Sequence, residues 1–191
     1  DGTLQFFAIN RAHHSDVGGA THGGYNPSAS EIYQEGIRIP PLKLFERGEA
    51  RHDLLQMLSA NVRHPENFLG DFNAQFGSVQ IAGRRMTTLL DRYGPEGLKT
   101  NVKEILKSTE VQVRDMISGW PDGIYKGESF VDDDGFGAKM IPIRATVTIA
   151  GDSMTIDLSE SSPQVTGFIN SAYANTRSLA HVSMMYMASF D

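Results

Sequence analysis

The sequence has no cysteine, which excludes a disulfide framework, a thiolate zinc site and a cysteine nucleophile. Any metal must therefore sit on His, Asp or Glu. No apolar run approaches the roughly 20 residues that cross a bilayer. The start, Asp1-Gly2-Thr3-Leu4-Gln5, lacks the basic and apolar regions of a signal peptide. Basic clusters are missing too: 17 Lys+Arg face 23 Asp+Glu for a net charge of −6, so no surface offers the counterion release that nucleic-acid backbones require. Nucleic acid and membrane are accordingly not expected as partners, and a cytoplasmic location is. Gly-x-Gly-x-x-Gly, the Walker Lys-Ser/Thr and Gly-x-Ser-x-Gly are all absent, so the chain itself is assigned neither a nucleotide nor a serine nucleophile.

What is present is ordinary globular material, 191 residues with 40% hydrophobic and 21% charged side chains, enough for one domain or two small ones. The first residue is not Met, and Asp1-Gly2 reads as a type I′ hairpin turn whose preceding strand is missing. A fragment of a larger subunit is expected.

Along the chain, Leu4 to Ala12 is a mostly apolar stretch, too short for a stable helix and consistent with a buried strand. Val17 to Ser30 is rich in Gly, Ser, Asn and Pro, a long loop. Pro40-Pro41 keeps Ile37 to Leu44 extended. Helical periodicity then runs through Leu54, Leu55, Leu58 and Val62; from Pro65 through Phe68, Phe72, Phe76, Met86 and Leu90 to Gly94-Pro95, with Gly77 and Gly83 as candidate breaks; and through Leu98, Val102, Ile105, Val113 and Ile117 to Gly119. The last two helices are expected to pair antiparallel. Asp132-Asp133-Asp134-Gly135 reads as a hairpin turn, and period-two alternation over Met140 to Val147 and Met154 to Leu158 predicts antiparallel sheet. A helix over Ser171 to Phe190, capped by Asn170 or Ser171, ends the chain. The expected fold class is α+β: antiparallel strands with a long helical hairpin insertion. Three regions follow from this reading, 1–48 (site strand and loop), 49–120 (helical hairpin) and 121–191 (sheet plus C-terminal helix).

The densest chemical cluster is Arg11-Ala12-His13-His14-Ser15-Asp16, where the apolar stretch meets the Gly-rich loop. Imidazole and carboxylate suit Zn, Mn or Fe. Strand alternation separates His13 from His14: a strand running on through Asp16 puts His14 and Asp16 on one face, whereas a strand ending at His13 lets the loop fold Asp16 back beside it. The bland alternative is hydrogen bonding within a surface loop. His52, His64 and His181 lie in helices or at helix ends and read as solvated or capping, and Phe68, Phe72 and Phe76 read as core or partner interface.

With Asn10-Arg11-Ala12-His13-His14-Ser15-Asp16-Val17-Gly18-Gly19, followed by Glu31-Ile32-Tyr33-Gln34-Glu35-Gly36-Ile37-Arg38-Ile39-Pro40-Pro41-Leu42-Lys43-Leu44, the sequence resembles the hydantoinase B/oxoprolinase family. Asn61-Val62-Arg63-x-Pro65-Glu66, Leu69-Gly70-Asp71, Ala74-Gln75, Thr148-Ile149-x-Gly151-Asp152, Ser162-Pro163-Gln164-Val165 and Asn170 extend the resemblance over nearly the whole chain. It covers a middle part of a family subunit. The resemblance implies a hetero-oligomer in which an ATP-binding, hydantoinase A-like subunit activates a carbonyl or amide oxygen by phosphorylation and the B-type subunit completes the reaction at a divalent transition metal. It carries a metal-ligand role over to His13, with the remaining ligands upstream of Asp1.

On that basis the small-molecule substrate is expected to be a cyclic amide, a hydantoin, lactam or 5-oxoproline, opened by hydrolysis. Asp16 or His14 would receive a proton or hold the other nitrogen of His13, and Arg11 would offset phosphate or carboxylate charge. A ketone carboxylase of the acetone or acetophenone type, or a non-catalytic interaction domain that docks through its long helices, is the alternative. One departure stands out. After Gly-Gly-x-Thr the family usually continues Pro-Gly-Ser-Met-Pro, where this chain has His22-Gly23-Gly24-Tyr25-Asn26-Pro27, a change that would alter which substrate fits a pocket lined by that loop.

Overall fold

Proline at a first helical position sacrifices no hydrogen bond and brings a φ already suited to the helix. In the computed structural model, which describes residues 3–188, the main helix accordingly begins at Pro65. This helix, α2 (Pro65–Ser118), leaves helical backbone at Gly94 (φ 68°, ψ 162°), ahead of Pro95, because a proline ring disfavours helical geometry in the residue before it. Gly77 and Gly83, the expected breaks, stay helical. Before α2 come the hairpin β1 (Phe45–Glu46) and β2 (Glu49–Ala50) and the helix α1 (His52–Ser59). The hairpin turns at Arg47-Gly48 with φ of 53° and 87°, the two positive values of a type I′ turn. After α2 come β3 (Gly123–Asp133), β4 (Lys139–Ala150), β5 (Ser153–Asp157) and α3 (Tyr173–Ala188). The architecture is α+β, with antiparallel strands and a long helix, and the chain forms two compact units, Asp1–Asn101 and Val102–Asp191.

In the first unit the apolar faces of α1 and the start of α2 meet in a small core. Leu58, Val62 and Phe68 are buried, with Ile37, Leu44 and Leu69 packed against them. Phe45 of β1 stacks on Phe76, ring centroids 3.4 Å apart, so the aromatic stripe of α2 is covered from within its own unit. Leu4 to Ala12 is not the buried strand expected. No strand is assigned there, and Phe7 and Ile9 are 78% and 88% exposed. Apolar composition favours a strand only where a partner edge supplies hydrogen bonds, and among the described residues none does.

A buried carboxylate organises the Gly-rich loop. Asp16 Oδ1 accepts from Gly18 N (3.1 Å) and Arg63 Nη1 (2.8 Å), and Oδ2 accepts from Arg63 N (2.5 Å). The Arg63 guanidinium also donates to the carbonyls of Gly19 (2.6 Å) and Ala20 (3.3 Å). Ile37 N donates to Val17 O and Ala20 N to Gln34 O, pairing the loop with the segment after the 3₁₀ turn Ile32–Gln34. Residues 18 and 19 must be glycine for contact reasons: a Cβ at Gly18 would run into the Asn61 carbonyl and one at Gly19 into that of Glu35.

In the second unit β3, β4 and β5 form one antiparallel sheet in that order, with Phe130 opposite Pro142 and Val147 opposite Ile156. Asp134, buried at the β3–β4 hairpin end, accepts from the amides of Phe136 (2.9 Å) and Ala138 (3.0 Å). Neither expected cap serves α3: Asn170 is spent on the backbone of Val165 and Gly167, and Ser171 Oγ accepts from the side chains of Asn175 and Thr176. Asp1-Gly2 and Phe190 lie outside the described residues.

Two outcomes follow from this packing. Leu58, 1% exposed at the centre of the first core, should cost about 3 kcal/mol when replaced by Ala, read as a lower urea midpoint. Backbone hydrogen bonds, from Arg63 to Asp16 and from Phe136 to Asp134, hold both carboxyls below their ordinary 3.8. A depressed folded-state pKa gives stability that is present above the unfolded value and lost as pH falls through the folded one. Tm should therefore drop between about pH 5 and pH 2, and Asp16→Asn should start lower at neutral pH and lose less on acidification. An Asp16→Asn curve parallel to wild type would contradict this.

A candidate metal-binding site around His13

From Arg11 to Asp16 the side chains divide by face. His13 is exposed, His14 half-buried, Ser15 exposed and Asp16 buried, so alternation persists although no strand is assigned. Of the two arrangements open from sequence, the structure adopts the one that puts His14 and Asp16 on the inner side and His13 on the outer.

The inward pair is engaged by residues distant in sequence. His14 lies against the Phe68 ring, centroids 5.3 Å apart, and its Nε2 is 2.8 Å from Gln75 Oε1. The Gln75 amide nitrogen donates to Asn10 Oδ1 (3.1 Å), and Asn10 Nδ2 donates to Ser78 Oγ (2.6 Å). Because Gln75 presents its amide oxygen, His14 Nε2 is the donor in this contact. The Nδ1 of His14 is buried without a partner among the described residues. Asp16 accepts from Gly18 and Arg63, and these donors keep it ionised. Both side chains therefore fix the strip of chain that carries His13.

The outward pair is free. Among the described residues Arg11 and His13 make no hydrogen bond or ion pair, and the His13 ring faces that of Tyr25, centroids 6.0 Å apart and tilted by 41°. The loop beside it is anchored by Gly23 N donating to Ser15 O (2.9 Å) and Thr21 Oγ1 donating to Tyr25 O (2.9 Å). His13 thus presents an uncommitted imidazole on a fixed backbone, the donor type that zinc, manganese and iron accept. Among the described residues no group of three or more His, Asp or Glu could hold a metal ion.

Sequence reasoning passed over the tasks of Gln75 and Arg63. For Gln75 a signal existed: a polar residue interrupts the apolar stripe beside Phe72 and Phe76. Arg63 meets Asp16 across 47 positions, a separation that no local pattern encodes.

The family model described as hydantoinase B/oxoprolinase matches residues 1–191. The caprolactamase subunit beta of Pseudomonas jessenii is 38% identical over 187 residues, 98% of this chain and 32% of that subunit. The acetophenone carboxylase delta subunit of Aromatoleum aromaticum is 29% identical over 168 residues, 86% of this chain and 24% of that subunit. The crystal structure of the ATP-dependent caprolactamase from Pseudomonas jessenii superposes with a TM-score of 0.82 at 38% identity, covering 92% of this chain and 30% of the other. The chain thus spans about a third of the length of such relatives, and it belongs to the hydantoinase B/oxoprolinase family.

Proposed function

We propose that this chain forms part of the metal-bearing subunit of an ATP-dependent amidohydrolase that opens a cyclic amide, a hydantoin, lactam or 5-oxoproline, after a hydantoinase A-like subunit has activated it with ATP. The observation that carries the reading is His13, an exposed and uncommitted imidazole held outward by inward-facing His14 and Asp16. The 38% identity to a caprolactamase subunit favours amide hydrolysis over the carboxylase alternative, whose named relative is 29% identical.

His13 would be one ligand of a divalent Zn, Mn or Fe ion. When bound, the ion supplies Lewis acidity at the reacting carbon–oxygen group. The other tasks belong to the chain. Asp16 stays ionised and anchors the loop through Arg63, and Gln75 fixes the orientation of His14, so neither reaches outward as a proton acceptor. Arg11, a free cation among the described residues, offsets the charge of a phosphorylated substrate or a product carboxylate. Large apolar side chains at the surface, Ile9 at 88%, Leu106 at 66% and Met185 at 71% exposed, support a subunit that is covered by further protein. Among the described residues, no helix is long and apolar enough to cross a membrane.

Metal analysis of the full native complex, wild type beside His13→Ala, tests the reading. Wild type should hold about one transition metal per protomer at this site. The variant should lose it, and with it more lactam-opening activity than the roughly 10–100-fold that removing an outer partner of a ligand costs, while its far-UV circular dichroism stays that of the wild type. Retention of the metal in His13→Ala would remove His13 from the site. ATP consumption that requires bicarbonate and a ketone would move the protein to the carboxylase reading.

A further inference from the structure

His22 stands where the family resemblance has proline, and position 64 is unspecified in the Asn61-Val62-Arg63-x-Pro65 motif. The fold brings these two chain-specific residues together, with ring centroids 5.5 Å apart and planes at 79°. Two imidazoles sharing a tetrahedral ion at the usual zinc–nitrogen distance have centroids about 5.2 Å apart, so the observed spacing matches a shared cation. Both side chains are exposed and neither makes a hydrogen bond or ion pair among the described residues. Exposed rings reorient on the picosecond to nanosecond scale, which leaves backbone placement as the deciding quantity.

That placement is fixed by the loop's own hub. Arg63, one residue before His64, holds the carbonyls of Gly19 and Ala20, close before His22, and its amide and guanidinium both bind Asp16. Gly23 N, one residue after His22, is tied to Ser15 O, and Phe68 N is tied to His64 O. Asp16 balances the Arg63 charge, and Glu66 adds a negative charge in the first turn of α2, so a cation meets no net repulsion from these neighbours.

The geometry points to a second metal site, separate from His13, in which His22 and His64 chelate a zinc-class divalent cation with water completing its coordination. The cation staples the Gly-rich loop to the chain entering α2. Imidazole pairs select zinc, copper or nickel over magnesium or calcium. Binding only the folded loop, the cation raises its stability with the logarithm of its free concentration once that exceeds the dissociation constant.

The test is zinc titration of the full-length subunit in its native complex after chelator treatment, followed by calorimetry and melting. Wild type and His13→Ala should each bind one zinc that His22→Ala and His64→Ala do not, and zinc should raise Tm in the first two proteins only. Zinc uptake in either His22→Ala or His64→Ala equal to wild type overturns the site. So does a wild type whose zinc is lost entirely in His13→Ala, an outcome that leaves the His13 reading standing. Conversely, His13→Ala that keeps every ion while the other two variants each lose one removes the His13 reading and supports this one.

Discussion

Burying a carboxylate is costly unless charge and hydrogen bonds compensate it, and the arrangement around Asp16 follows from meeting that requirement. Its side chain is 3% exposed, whereas that of its partner Arg63 is 44% exposed, so the positive charge keeps much of its hydration while the negative one is surrounded by donors. Because Arg63 contributes both its amide and its guanidinium, the pair ties residues 16–20 to the chain between α1 and α2. Close approach is the consequence, and glycine at positions 18 and 19 is what close approach demands. The outward direction of His13 is then set by its neighbours rather than by contacts of its own.

The second unit uses the same device with different donors. Asp134 is buried and satisfied by amides of its own hairpin end, without an arginine, and Gly167 lies so close that a Cβ there would strike the Asp134 carbonyl. An aspartate in a Gly-rich setting invites a catalytic or metal-binding interpretation. Here two of them spend their lone pairs on backbone amides and, for Asp16, on the Arg63 guanidinium as well.

How much of this was legible follows from how local each determinant is. The start of α2 at Pro65, its break at Gly94-Pro95 and its end before Gly119 are set by single residues, and alternation marks β4 and β5. Strand β3 escaped notice because it is exposed on both faces over most of its length, Ile124, Tyr125 and Phe130 included, so it shows no period-two pattern. Leu4 to Ala12 failed in the opposite sense, since its composition suits a strand but its neighbours supply no edge. At the site, alternation correctly separated His13 from His14, yet the partners that give His14 and Asp16 their work lie 61 and 47 positions away. A local pattern can place a side chain on a face but cannot say what waits there.

The same distinction bears on why two polar side chains are left free. Ordering a loop costs backbone entropy of about 1–2 kcal/mol per residue, and here the hydrogen bonds of Asp16, His14, Gly23 and Thr21 meet that cost without calling on Arg11 or His13. Among the described residues no hydrogen bond or ion pair ties either side chain to the loop. A support that leaves one imidazole and one guanidinium uncommitted fixes the backbone beneath them, so a ligand that engaged them would have only side-chain freedom left to order.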